Sequence, residues 1–100
     1  MPPRKHKPIH PGEVLLKDFM EPLGITAYRV AKECGTSAQN TGRVIKGERG
    51  IGGELALRLA RYFGTSPEFW MNLQAQYELG VAEDRSGKEI ARRVRPHDAA

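Results

Sequence analysis

Apolar residues recur at intervals of three and four along residues 11–80, and this spacing is that of one buried helical face. In the first segment, HPGEVLLKDFMEPLG, they are Leu15, Leu16, Phe19, Met20 and Leu23. Pro11 suits the first turn of a helix, and Pro22 suits its end. The segment therefore predicts a first helix that stops near Pro22.

Two short helices with capping residues follow. Thr26 is a typical N-cap for a helix that buries Val30, Ala31 and Cys34 and stops at Gly35. Ser37 can cap a third helix that runs to about Lys46, where Gly47 can take the left-handed conformation. In this third helix the pattern places Thr41, Val44 and Ile45 on one side and Gln39, Gly42, Arg43 and Lys46 on the other.

The same pattern predicts two more helices. The fourth, GGELALRLARYFG, turns Leu55, Ala56, Leu59, Ala60 and Phe63 inward, and Gly64 closes it. In the fifth, SPEFWMNLQAQYELG, Ser66 is the N-cap and Pro67 the first residue. Five short helices with no alternating strand pattern predict an all-α fold.

The two ends differ from this middle region. Residues 1–9 hold three prolines and three basic side chains, so we expect a flexible basic arm. Residues 10–80 form the predicted domain, and residues 81–100 form a polar C-terminal tail. Ser86 and Glu89 match a capping box, so a short helix and an extended tail are equally possible within it.

Length and composition predict one small domain with a modest positive charge. One hundred residues with 39% apolar content suit one compact domain. The formal charge of +4 is only weak evidence for an acidic partner. Residues 36–50 are more informative, because three basic residues and one acidic residue give them a local charge of +2.

Few residues carry candidate chemistry of other kinds. Cys34 is the one cysteine of the sequence, so it can form neither an internal disulfide nor a cysteine-based metal site. We interpret it as a small buried residue. The three histidines, His6, His10 and His97, lack the spacing of metal ligands, and His10 more plausibly caps the first helix. We predict no metal, no cofactor and no enzymatic activity, and a soluble cytoplasmic protein without a membrane span.

The corner between the second and third helices points to nucleic acid. Gly35 ends one helix two residues before Ser37 caps the next, which is the geometry of a helix-turn-helix. In that motif the second helix lies in the major groove of DNA, with polar side chains against the base edges. The polar face of residues 37–46 fits this role.

These residues also carry a family resemblance. Ala31, Gly35, the capped polar helix and KGERGI resemble the Xre/Cro helix-turn-helix, which is λ-repressor-like. Together with HPGEVL, EPLGIT and ALRLARYFGTSPEFWMNLQAQYEL they resemble the HigA antitoxins, also called VapI-type antidote proteins. The resemblance covers residues 9–80 and implies repression of a toxin–antitoxin operon and neutralisation of a HigB-like toxin, a RelE-type messenger-RNA endoribonuclease.

Individual roles follow from side-chain chemistry. Gln39 suits adenine and Arg43 suits guanine, whereas Asn40 is a weaker candidate for base contact. Lys46 and Arg49 are better placed for phosphates, as are the amides near Thr26 and Ala27. The predicted DNA-binding residues are Thr26, Ala27, Ser37, Ala38, Gln39, Asn40, Gly42, Arg43, Lys46 and Arg49.

An aromatic stripe on the fifth helix suggests a second copy of the chain. Phe69, Trp70, Leu73 and Tyr77 lie on this stripe. Such a stripe is most often core, yet the small interior leaves part of it for a homodimer interface. Two copies about 34 Å apart would read a palindromic operator on double-stranded DNA.

An alternative function belongs to a different class. The chain could be a protein-interaction module that kept this fold but lost specific DNA binding. Thr36, Thr41 and Gly42 depart from the usual residues of the family and would then mark the loss.

Overall fold

The computed structural model describes residues 7–97, and within that range the regular elements are five helices without a strand. We number them α1 to α5. Helix α1 consists of the α-helical segment Pro11–Val14, a π-helical stretch Leu15–Met20 and a last α-helical segment Glu21–Leu23. The other helices are α2 (Ala27–Cys34), α3 (Ala38–Ile45), α4 (Gly53–Phe63) and α5 (Pro67–Arg93). The all-α, five-helix prediction is confirmed.

Helix α1 ends one residue after Pro22, so the prediction that it stops near Pro22 is confirmed. It continues to Leu23, and Gly24 ends it in the left-handed region with φ of 65°. Proline lacks an N–H and its ring crowds the carbonyl four residues earlier, so it does not fit a regular helix interior. The preceding turns, Leu15–Met20, have the wider π-helical bonding, and Pro22 lies in the last turn of the helix.

The predicted capping residues of α2 and α3 are confirmed. The hydroxyl of Thr26 accepts the N–H of Arg29 at 3.1 Å, and the hydroxyl of Ser37 accepts the N–H of Asn40 at 2.9 Å. Each bond satisfies one of the free amides at the start of a helix. Gly35 ends α2 with φ of 72°, as predicted.

The core forms where all five helices meet. Its buried apolar side chains are Leu15, Met20, Val30, Cys34, Val44, Ile51, Ala56, Leu59, Ala60 and Trp70. Trp70 is fully buried, and the rings of Phe19 and Phe69 each lie 5.0 Å from it. Its indole N–H donates to the hydroxyl of Thr65 at 2.8 Å, which satisfies the one polar atom that burial would penalise.

Helix α5 is longer than its sequence predicts. The expected end near Gly80 is wrong, because Gly80 is buried inside a helix that runs on to Arg93. Good helix formers dominate the sequence after Gly80, and Glu89 pairs with Arg92 and Arg93 one turn later. Ser86 therefore lies inside α5 and does not cap a separate helix.

Candidate nucleic-acid interface

The corner between α2 and α3 is a three-residue turn, residues 35–37. The N–H of Thr36 donates back to the carbonyl of Ala31 at 2.9 Å, and the αL conformation of Gly35 reverses the chain. Ser37 then begins α3 with its side-chain cap. These local bonds fix the angle between the two helices, which is the requirement of a helix-turn-helix.

Arg58 of α4 supports this corner from outside, a role that no pattern in the sequence predicts. Its Nη1 donates to the carbonyl of Cys34 at 2.9 Å, and its Nη2 bonds to the carboxylate of Glu54 at 2.9 Å. A side-chain methyl at Gly35 would lie 2.7 Å from Nη1. The i,i+4 spacing of Glu54 and Arg58 is visible in the sequence, but the bond to Cys34 depends on tertiary packing.

Helix α3 has one buried and one exposed face, as its sequence predicts. Thr41 and Val44 are buried, whereas Gln39, Arg43 and Lys46 are exposed. The hydroxyl of Thr41 donates to the carbonyl of Ser37 at 3.1 Å. The polar group is therefore satisfied, and this inner face remains closely packed.

Gly42 lies on the exposed face of α3, between Gln39 and Arg43. A Cβ atom built at this position meets nothing within 4 Å, and the backbone does not have a positive φ. Neither the fold nor the local conformation therefore requires glycine here. This glycine leaves the backbone of α3 uncovered on the face that points away from the protein.

Asn40 differs from the other predicted base contacts. Its side chain is half-buried, and its amide Nδ2 donates to the hydroxyl of Thr36 at 3.0 Å. Its Oδ1 is buried and has no hydrogen-bond partner within the described part of the chain. The side chain of Asn40 is thus bonded to the turn, whereas Gln39 and Arg43 are exposed.

Three exposed basic side chains lie at the end of α3 and shortly after it. Arg43 lies in the last turn of α3, Lys46 is its C-cap, and Arg49 lies in the loop that follows; all three are exposed. None of the three takes part in the ion pairs found within residues 7–97. Unpaired cations of this kind can attract a polyanion without first breaking an internal contact.

The starts of α2 and α3 supply the other predicted DNA-binding groups. Thr26, Ser37 and Ala38 are exposed, and Ala27 is half-buried against the core. The hydroxyls of Thr26 and Ser37 are already engaged as caps. The first amides of each helix therefore remain the groups best able to bind an anion.

The structure separates the four residues of the predicted dimer interface. Trp70 belongs to the interior of the monomer and cannot contact a second copy in this conformation. Leu73 is half-buried, and the ring of Tyr77 packs edge-on against His10 with 4.8 Å between centroids. Phe69 is 37% exposed and is the most accessible of the set.

The remaining features to consider are possible metal ligands, the thiol of Cys34 and possible membrane spans. Within residues 7–97 no group of three or more His, Cys, Asp or Glu residues could hold a metal ion, and His6 lies outside the described residues. Burial raises the pKa of the Cys34 thiol, although the charge of Arg58 opposes this shift. Across the same range no helix combines the length and the apolar character that crossing a bilayer requires.

Comparison with known proteins places this geometry in a family. Residues 16–70 match the family model described as helix-turn-helix. Virulence-associated protein I of Dichelobacter nodosus is 40% identical over 75% of this chain and 69% of its own length. Antitoxin HigA-1 of Vibrio cholerae is 34% identical over 92% of this chain and 86% of its own length.

A solved structure described as Pseudomonas aeruginosa antitoxin HigA with the higBA promoter superposes with a TM-score of 0.87 at 40% identity, covering 90% of this chain and 98% of that one. The resemblance noted in the sequence is thereby confirmed. The chain belongs to the Xre-type helix-turn-helix family, in the group that includes antitoxin HigA-1 and virulence-associated protein I.

Proposed function

We propose that the chain is a sequence-specific DNA-binding repressor that also serves as the antitoxin of a type II HigB/HigA toxin–antitoxin system in the cytoplasm. The observation that carries the DNA half is the exposed face of α3. Gln39 and Arg43 extend from it side by side, and the capped corner and Arg58 hold α3 in a fixed position. A rigid helix with long polar side chains fits the major groove, which is about 12 Å wide.

The residues divide into two roles. Gln39 and Arg43 read base edges, because their side chains can form paired hydrogen bonds to adenine and guanine. Lys46, Arg49 and the amides at Ala27 and Ala38 bind phosphates and set the register on the duplex. Asn40 supports the turn through Thr36 and has the weakest claim to a base.

A homodimer completes the site, because one helix-turn-helix touches too few base pairs to discriminate well. Two copies related by a two-fold axis would place their α3 helices about 34 Å apart on a palindromic operator. Phe69, Leu73 and Tyr77 remain proposed interface residues. Trp70 contributes to the interface only by holding α5 in place.

The antitoxin half rests on relatedness. The relatives include antitoxin HigA-1, and the structural relative was solved with the higBA promoter. The partner that this implies is a HigB-like endoribonuclease toxin of about one hundred residues, encoded beside this gene. Co-expression of the neighbouring reading frame with this chain tests it: growth should be rescued and the two proteins should co-purify, whereas a toxic product that neither binds nor is neutralised would refute this half.

Fluorescence anisotropy on the DNA upstream of the gene tests the repressor half. The wild-type chain should bind this fragment at least a thousandfold more tightly than a scrambled fragment of equal length at about 150 mM salt. Arg43→Ala should weaken specific binding by about 1–3 kcal/mol. Arg61→Ala removes the same charge from an exposed position on α4 and should keep it.

The alternative function, a protein-interaction module without specific DNA binding, makes the opposite prediction. It expects equal affinity for the upstream and scrambled fragments, and equal small losses for Arg43→Ala and Arg61→Ala. Two observations favour the DNA-binding function. The hydroxyl of Thr41 is satisfied by the carbonyl of Ser37, and α3 keeps its N-cap at Ser37. The unusual residue Thr41 therefore does not disturb the position of α3.

A further inference from the structure

The loop between α3 and α4, which carries Arg49, is fastened to α5 through one side chain. The amide Oε1 of Gln74 accepts the N–H of Ile51 at 2.8 Å. Its Nε2 donates to Oε2 of Glu78, one turn later on α5, at 2.7 Å. Each end of the Gln74 amide therefore has its own partner, one on the loop and one on α5.

The two partners fix the orientation of the Gln74 amide. A backbone N–H can only donate and a carboxylate can only accept, so the oxygen of the amide faces Ile51 and its nitrogen faces Glu78. A flipped amide would set donor against donor at the loop and acceptor against acceptor on α5. The side chain of Gln74 is thereby confined to one arrangement, with its acceptor directed at the loop.

Both elements that this amide joins are fixed in the core. Trp70 lies one turn before Gln74 on α5, is fully buried and donates its indole N–H to Thr65 at 2.8 Å. On the loop side, the side chain of Ile51 is 1% exposed and belongs to the same core. Burial of Ile51 fixes where the loop ends, and the bond from its N–H fixes the direction of the peptide group that joins it to Gly50.

Gly50 brings the loop backbone against the Gln74 amide. A Cβ built on Gly50 would lie 2.7 Å from Nε2 and 2.8 Å from both Cδ and Oε1 of Gln74, so a side chain there would push the amide away from Ile51. Arg49 is the preceding residue, and its side chain is exposed. The backbone that Gln74 orients is therefore the backbone from which Arg49 extends.

We propose that Gln74 is a positioning residue for DNA binding, which holds the loop after α3 so that Arg49 is directed at a phosphate. This inference rests on the proposed function, in which Arg49 binds the DNA backbone. Without the bond to Oε1 the loop takes several positions, and ordering it on DNA then consumes part of the binding free energy.

Three variants separate the hydrogen bonds from the bulk of the side chain. Gln74→Met keeps the length of the side chain and removes both bonds. The swapped pair, Gln74→Glu with Glu78→Gln, keeps the net charge and restores both bonds, because the new carboxylate can accept from the N–H of Ile51 and from the new amide. Gln76→Met is the matched control, since Gln76 is an exposed glutamine on the same helix.

Fluorescence anisotropy on the upstream DNA, at a temperature where circular dichroism shows each variant folded, measures the effect. We expect Gln74→Met to bind about 3- to 10-fold more weakly than wild type, the effect of one lost hydrogen bond. The swapped pair and Gln76→Met should bind within about twofold of wild type. A swapped pair that binds as weakly as Gln74→Met would overturn the proposal.

A cycle with Arg49→Ala distinguishes positioning from a general loss of stability. In a chain that already carries Arg49→Ala, Gln74→Met should weaken binding little further, because the loop then has no phosphate contact to orient. A destabilised fold would weaken binding whether or not Arg49 is present. Losses that add in full would therefore overturn the proposal.

Amide hydrogen exchange without DNA tests the attachment of the loop separately from the proposed function. In Gln74→Met the N–H of Ile51 should exchange several-fold faster relative to amides inside α4, and the swapped pair should restore slow exchange. Unchanged relative exchange at Ile51 would overturn the proposal. Equal binding of the wild-type chain to the upstream and scrambled DNA would refute the proposed function, and the hydrogen-exchange rates would still show whether Gln74 holds the loop.

Discussion

Gly42→Ala should make the protein more stable and its operator complex weaker. Glycine inside a helix costs up to about 1 kcal/mol relative to alanine, because the unfolded chain has more conformational freedom to lose. The structure offers no opposing contact, since the added Cβ meets nothing within 4 Å and the backbone φ is not positive. A gain of about 0.5–1 kcal/mol corresponds to a melting temperature raised by roughly 2–8 °C in a domain of this size.

In the complex with DNA, the same substitution at Gly42 should be unfavourable. If the backbone of α3 approaches the groove at Gly42, a methyl group placed there crowds the duplex, and overpacking of this kind costs about 1–3 kcal/mol. Thermal unfolding by circular dichroism and anisotropy on the upstream DNA measure the two effects separately. Gly35→Ala is the control: its positive φ and the 2.7 Å clash with Arg58 predict lower stability. A destabilised Gly42→Ala would refute the structural reasoning, and unchanged DNA affinity would refute the close approach.

Three further predictions concern single side chains. Arg43→Ala should weaken operator binding by about 1–3 kcal/mol and relax specificity at one base pair. Lys46→Ala should weaken binding to all DNA sequences and reduce the salt slope by about 1. Identical behaviour of the two variants in salt titrations would contradict the division into a base contact and a phosphate contact. Thr41→Val should leave stability unchanged or raise it by up to about 1 kcal/mol, because the carbonyl of Ser37 still accepts the Thr41 N–H at 3.0 Å; a loss above that in urea unfolding would disagree. Burial lowers the pKa of His10 below its usual 6.5, so its contribution to stability is present above pH 6.5 and is lost as the pH falls through the lowered value. The difference in unfolding free energy between wild type and His10→Asn should therefore narrow at acidic pH, and a difference that widens would show the opposite sign.

Local signals predicted most of the fold. Thr26, Gly35 and Ser37 act through bonds to residues at most four or five positions away, so their roles can be read from the sequence. The buried and exposed faces of α3 follow from the helical period in the same way. The exposure of Gln39, Arg43 and Lys46 agrees with this period, whereas their contact with DNA stays a prediction.

The misses each involve a competing or distant effect. Gly80 predicts a helix end, but burial and good helix formers beyond it carry α5 on to Arg93. Trp70 has the spacing of an interface stripe and is core, and Arg58 braces the corner through a carbonyl 24 residues away. No periodicity in the sequence encodes such contacts.

The most direct test of the central claim, that Arg43 reads a base edge from α3, is a cycle between protein and DNA variants. Each operator guanine is replaced in turn by 7-deazaguanine, which lacks the N7 acceptor, and the affinity of wild type and Arg43→Ala is measured for every substitution. At one guanine in each half-site wild type should lose about 1–3 kcal/mol, and Arg43→Ala should lose almost nothing further, since the two changes remove the same bond. Losses that add independently at every position would contradict the claim.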